Sequence, residues 1–210
     1  MWGAPRPGGS ALPSRFLGVW ERIALEVDGA LADPGRAVWL ESGAGFVDLR
    51  VGDGPDCPAG RAGSTSWDGT NLRWSLDIDS HAPAGRYRAV ERGRVGFDGD
   101  DLIEEGTGAD GSLTAYRARW RRLRGVGGPW APNLVAEGPD GLAVRIGMHT
   151  GVVVDRGPRG GGVTGAYCRW DGLVWRVEIT VGADPADLPM LEPGAVLPPG
   201  WRWRPTPALP

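Results

Sequence analysis

The 210 residues carry 23 basic and 26 acidic side chains, a formal net charge of -3 and a pI near 5.4, so no broad positive field exists to concentrate a nucleic acid. Every basic residue is arginine, and the absence of lysine excludes Schiff-base catalysis by a lysine side chain. The 36 glycines and 19 prolines would suggest low complexity, but 11 tryptophans and 41% hydrophobic residues require a real core.

The opening Met1–Gly9 lacks a basic region followed by an apolar run, and no window reaches the ~18 apolar residues of a spanning helix. A cytoplasmic protein without membrane contact is expected. Period-two alternation then predicts strands at Phe16–Val27, Arg36–Glu41, Gly45–Val51, Ala62–Trp67, Asn71–Asp79, Tyr87–Phe97, Asp101–Gly106 and Tyr116–Leu123. Between them lie Gly43-Ala44-Gly45, Asp53-Gly54-Pro55, Trp67-Asp68-Gly69-Thr70-Asn71 and Gly99-Asp100-Asp101, whose Gly, Asn and Asp residues tolerate the positive φ of tight turns. Eight short antiparallel strands must bury one face and dispose of two edges, and closure into a barrel does both, with a sandwich as the competing solution. The Arg-rich run Arg117, Arg119, Arg121, Arg122, Arg124 alternates with Ala118 and Trp120 and reads as the wet face of a strand.

After Leu123 a Gly-rich linker precedes a second copy of the pattern. Ala37-Val38, Gly45, Val47 and Arg50 recur as Ala143-Val144, Gly151, Val153 and Arg156, and Trp67-Asp68-Gly69 recurs as Trp170-Asp171-Gly172. The second copy lacks a counterpart of Tyr87–Phe97. The expected organisation is an N-terminal barrel over 1–125, a shorter barrel-like repeat over 126–204, with one helical turn at Asp184–Leu191, and a Pro-rich tail over 205–210. The fold class is all-β and antiparallel, with two related halves of which the second is shortened.

Leu17-Gly18-Val19-Trp20, a Gly-x-Trp on the first strand, looks like the start of a lipocalin or calycin barrel. Together with Gly18–Arg22, Arg36–Glu41, Phe46–Arg50, Asp101–Gly106 and Tyr116–Trp120, the run resembles an uncharacterised lipocalin-like family of bacteria and fungi whose members are built from two such barrels. The resemblance covers Phe16–Leu123, and reaches the second half only through the internal repeat. It implies a fold and no particular activity.

Gly160–Gly165 matches a dinucleotide fingerprint in letters alone, because a strand rather than a helix follows it. Cys57 and Cys168 are expected as free thiols. His81 and His149 cannot make a three-histidine zinc site; Asp77, Asp79 and His81 read as the solvated side of their strand, and His149 as a surface histidine near a turn. No cofactor or metal is assigned.

The period of two places aromatic and ionisable side chains on common faces: Trp20 with Arg22, Trp39 with Glu41, Phe46 with Asp48 and Arg50, and Tyr116 with Trp120. If that face points inward, the first barrel holds a cavity walled by these residues and Trp74, suited to a small hydrophobic or aromatic ligand with an anionic or hydrogen-bonding end. Alternatively the same side chains fill the barrel and the charges are structural ion pairs. Three functions remain open: binding of a small, mostly apolar molecule; cofactor-free isomerase, cyclase or lyase chemistry with Glu41, Asp48 or Glu105 as acid or base; and a protein-interaction module with plugged barrels and exposed arginine rows. Oligomerisation stays open.

Overall fold

A computed structural model describes residues 12–81, 89–107, 115–124, 133–157, 162–182, 188–189, 191 and 196–206. A 3₁₀ turn at Ser14–Phe16 leads into β1 (Gly18–Val27), followed by β2 (Ala30–Ala32), β3 (Arg36–Glu41), β4 (Phe46–Val51), β5 (Ala59–Trp67), β6 (Asn71–Asp79), β7 (Ala89–Asp98), β8 (Asp101–Thr107) and β9 (Ala115–Arg122). All pairings are antiparallel, and β9 returns to β1, so eight strands close into a barrel while β2 only forms a hairpin with β1. The eight staves are the eight strands read from alternation. The extra hairpin β2 escaped because three residues are too few to show a period.

The second half contains β10 (Leu134–Glu137), β11 (Gly141–Ile146), β12 (His149–Asp155), β13 (Val163–Trp170), β14 (Trp175–Val181) and β15 (Arg202–Arg204), in the order β14-β13-β12-β11-β10-β15. The two halves share one plan: β11–β14 repeat the meander β3–β6, while β10, between β11 and β15, takes the place of β1 between β3 and β9. The repeated turns match as well. Asp68 Oδ1 accepts the amides of Thr70 and Asn71, Asp171 Oδ1 accepts those of Leu173 and Val174, and the following Gly69 and Gly172 have φ of 101° and 106°. Where the sequence suggests a second barrel, the described residues form a six-stranded sheet with no pairing between β14 and β15. Strands corresponding to β7 and β8, which close the first half, are missing from it among the described residues.

This sheet lies on the outside of the barrel. Val38, Leu40, Val47, Leu49 and Ala62 interleave with Val144, Val153, Tyr167, Ile179 and Val181 in one buried cluster. Burial on both faces accounts for the unbroken apolar stretch Ala37–Leu40 of β3, and in β4 it sets Val47 and Leu49 against the second sheet while Phe46, Asp48 and Arg50 face the barrel interior. Gly151 and Gly165 let the layers approach: a Cβ at Gly151 would stand 2.9 Å from Leu40 Cδ1, and one at Gly165 2.6 Å from Leu49 Cδ2.

On β9, Arg117 and Arg121 face solvent, Arg117 beside Glu105 of β8 at 3.3 Å and Glu26 of β1 at 3.9 Å, and Arg119 meets Asp101 at 2.7 Å, whereas Arg122, expected on the same wet face, turns in over the Trp20 ring. The helical turn expected at Asp184–Leu191 falls mostly outside the described residues, as do 207–210 of the tail, but Thr206 Oγ1 donates to Asn133 O at 2.8 Å. Gly160 and Gly161 also lie outside them, and β13 follows that loop. Neither Cys57 nor Cys168 forms a disulfide. No helix among the described residues is long and apolar enough to cross a membrane.

Candidate functional site

The barrel interior is stacked in layers set by the strand period. At the end where β1 begins, Phe16 packs on Trp67 and Phe97 at 5.1 and 5.4 Å between ring centroids, and Trp20 donates from Nε1 to Phe16 O at 2.9 Å. Arg15 lies over Phe97 and Arg122 over Trp20, closing this end with cation–π contacts. Trp20, expected in a ligand wall, belongs to this plug.

Above the plug, Trp39 stands at the centre, edge-on to Trp74 at 6.1 Å and to Trp120 at 6.0 Å. With Phe46 and Leu76 these rings wall a cavity whose polar side is built from Asp48, Arg50, Arg61, Glu91 and Glu104. Its volume is about 20 Å³, the room of roughly one water molecule. The barrel is therefore largely filled by its own side chains. Of the residues read from the sequence, Trp39, Phe46, Asp48, Arg50, Trp74 and Trp120 are brought together here.

Two bulges decide what else reaches the interior. In β1 the pairing with β9 slips between Arg22 and Ala24, so Trp20 and Arg22 face inward before it and Leu25 and Val27 after it. In β6 the slip opposite Ala62 and Gly63 makes Asp77 the extra residue. Leu72, Trp74 and Leu76 stay inside, Ile78 turns out against the second sheet, and Asp79 turns in to meet Arg61 at 3.4 Å. A Cβ at Gly63 would stand 2.0 Å from Ser75 O, so the bulge requires glycine. The solvated Asp79–His81 row of the sequence reading is thus corrected. The Asp79 side chain is only 8% exposed beside Arg61, and exposed His81 places Nδ1 3.4 Å from Arg61 Nη2.

The acid on β8 is Glu104 rather than Glu105. Glu104 accepts from Tyr116 Oη at 2.6 Å and from Trp120 Nε1 at 2.9 Å, whereas Glu105 points outward to Arg117. Leu102 and Ile103 are both apolar, so alternation alone did not fix which face β8 buries. Burial raises the Glu104 carboxyl above the ordinary range despite Arg50 nearby, and burial together with Glu104 pushes the Tyr116 phenol up. Glu41 lies outside the cavity wall, fully buried near the β3–β4 turn. It accepts from Thr65 Oγ1 and from the Gly43 amide at 3.0 Å, and desolvation pushes its carboxyl up to about 7.

At the other end of the barrel Asp48 binds Arg50 Nε at 2.9 and 3.1 Å, and Arg50 Nη1 reaches Asp56. Asp56, on the β4–β5 loop, also accepts from Arg22 Nη1 at 2.6 Å and Nη2 at 2.9 Å, and Arg22 Nε donates to Pro34 O at 2.9 Å. Arg50 and Arg22 hold the Asp56 carboxyl far below the usual carboxylate range, and its two carboxylate neighbours raise the Arg50 guanidinium further.

Arg61, Glu91, Glu104 and Asp56 were not singled out by the sequence. Arg61 follows Pro58-Ala59-Gly60, which reads as loop, and Asp56 lies within a loop. Glu91 had a usable signal: counting back by two from Phe97 through Val95 and Gly93 reaches it.

Comparison with protein-family models, with curated proteins and with solved structures gives no match for this chain. The lipocalin-like resemblance thus rests on the closed eight-stranded antiparallel barrel, which is compatible with it.

One further histidine is corrected. His149, read as a surface residue, is buried in the second half, where Nδ1 meets Tyr167 Oη at 2.7 Å and Nε2 meets Arg124 O at 2.9 Å. Burial lowers its pKa.

Proposed function

We propose that the N-terminal barrel binds a small, mostly apolar organic molecule with a hydrogen-bonding end, at the cavity walled by Trp39, Trp74 and Trp120. The observation that carries this reading is a set of buried polar atoms with no well-formed hydrogen bond among the described residues: Glu91 Oε1, Trp39 Nε1, which interacts only loosely with the Glu41 carboxyl, and Arg61 Nε, which makes a 3.4 Å ion pair with Asp79. All three belong to the wall of one cavity. A purely structural plug satisfies its buried polar groups. A ligand presenting an acceptor and a donor to these atoms would satisfy them, while the indoles supply affinity.

A molecule larger than water needs one wall residue to move, and Arg61 is the one held least. Its contacts to Asp79, Glu91 and His81 are 3.4 to 3.5 Å, against 3.1 Å or less for the hydrogen bonds of Arg22 and Arg50 to their carboxylates. Titration of a panel of indoles, aromatic amides and aromatic acids, followed by tryptophan fluorescence and calorimetry, tests this. Saturable binding is expected, weakened about tenfold or more by Arg61→Met, the loss of roughly one charge-assisted hydrogen bond. No binding by any compound, or binding unchanged in both Arg61→Met and Trp39→Phe, overturns it.

One observation favours a second reading, proton transfer on the bound molecule. Glu104 lines the cavity with a raised pKa, and Tyr116 and Trp120 hold it in place, which suits a general acid or base. Glu104→Gln would then abolish turnover and retain binding; turnover that survives it refutes this chemistry.

A further inference from the structure

Asp56 occupies a receptor that does not need Asp56 for its shape. Three N–H groups meet its carboxylate: Arg22 Nη1 and Arg50 Nη1 on Oδ2, and Arg22 Nη2 on Oδ1. Each guanidinium is fixed independently, Arg22 by Pro34 O and Arg50 by Asp48. The Arg22 side chain is 1% exposed, yet the carboxylate between the two arginines comes from a loop and is 25% exposed. Withdrawal of Asp56 would leave the buried Arg22 guanidinium without its carboxylate and the part-buried Arg50 with Asp48 and the more distant Glu104, which favours entry of another anion. Both guanidinium carbons lie 5.9 Å from the Trp120 ring, and Arg50 and Trp120 also wall the cavity.

We propose that the Arg22–Arg50 pair is a carboxylate subsite in which Asp56 stands in for the carboxylate of a small organic acid, whose flat body would lie against Trp120. This rests on the binding reading above and narrows its ligand class to monocarboxylates. Arg22 and Arg50 supply the fork that planar two-oxygen recognition requires. The loop carboxylate then competes with the ligand's, so the protein discriminates against acids too small to gain from the indole wall.

The experiment compares the parent, Asp56→Asn and Asp56→Gly with benzoate, the neutral isostere benzamide, and chloride at matched ionic strength, read by tryptophan fluorescence and melting temperature. Benzoate is expected to bind Asp56→Asn at least tenfold more tightly than the parent, and to raise the melting temperature of Asp56→Gly where chloride does not. Adding Arg22→Met to Asp56→Asn should remove the gain. Equal benzoate affinity in parent and Asp56→Asn, or equal gains for benzamide, overturns the proposal. Should Asp56→Gly fail to fold, the Asp56→Asn affinities decide alone. If benzoate gains nothing from Asp56→Asn while neutral ligands still bind, the carboxylate subsite fails and the binding reading survives. If no compound binds any variant, the binding reading fails with it.

Discussion

Replacing Glu41 by Gln should make the protein more stable at neutral pH, and less so or not at all in acid. The folded chain holds the Glu41 carboxyl protonated up to about pH 7, while the unfolded chain releases that proton near the ordinary 4.5. Between these values folding takes up a proton, so stability falls as pH rises from 4.5 to about 7 and is level above it. Taking ~1.4 kcal/mol per pH unit across that gap, the loss is roughly 3 kcal/mol. Glutamine cannot ionise, can accept from the Gly43 amide and can donate to Thr65 Oγ1, so it keeps the local bonding without this penalty. Urea denaturation of both forms at about pH 5 and about pH 8 reads the difference. At ~2–4 °C per kcal/mol for a chain of this size, the relative gain of the variant at the higher pH approaches 10 °C in melting temperature. A parent-to-variant difference that does not change with pH refutes a desolvated carboxyl at this position.

His149 should contribute a slope of the opposite sign near pH 6, read as the difference between the parent and His149→Gln. Burial holds His149 below its ordinary 6.5, the unfolded chain takes up the proton first, and stability falls on acidification through 6.5; an NMR titration of His149 with a midpoint at or above 6.5 contradicts this. Gly151→Ala should cost ~1–3 kcal/mol by crowding Leu40 across the layer interface, and Leu40→Ala should recover at least ~0.5 kcal/mol of that in a double-mutant cycle, strict additivity being the refuting result. Glu137, 4% exposed, accepts from Arg202 and Arg204 and ties β15 to β10; Glu137→Gln should cost ~1–3 kcal/mol and speed amide exchange in Arg202–Arg204 ahead of the barrel.

Strand existence was legible because one face of each barrel stave is apolar or aromatic, and it was clearest in β6, where Leu72, Trp74 and Leu76 alternate with polar residues. Parity was legible only until a bulge intervened. At Asp77 one extra residue moved Ile78 out and Asp79 in, and nothing local to Asp77-Ile78-Asp79 announces it except Gly63 on the neighbouring strand. The inward face of Trp39, Phe46, Asp48 and Arg50 was readable because β3 and β4 run without slips. Asp56 was not, since a loop has no period to count and its position follows from Arg22, on a strand far away in sequence, as well as from Arg50 on the strand before it. The shape of the second half was legible as a shortened repeat. Its placement on the barrel was not, because nothing in period-two alternation says which outer wall another sheet will cover.

That placement makes β4 a shared wall. Its one side offers Asp48 and Arg50 to the barrel interior, and its other side offers Val47 and Leu49 to Val153 and Val181 of the second sheet. The second sheet is therefore a splint for the site, and trimming Val153 or Val181 would loosen the Asp48–Arg50 pair without touching it. A barrel excised at residue 124 would expose Val38, Leu40, Val47 and Leu49 as a sticky strip and lose the brace at once. The second sheet thus sets the rigidity of the barrel wall that carries Asp48 and Arg50.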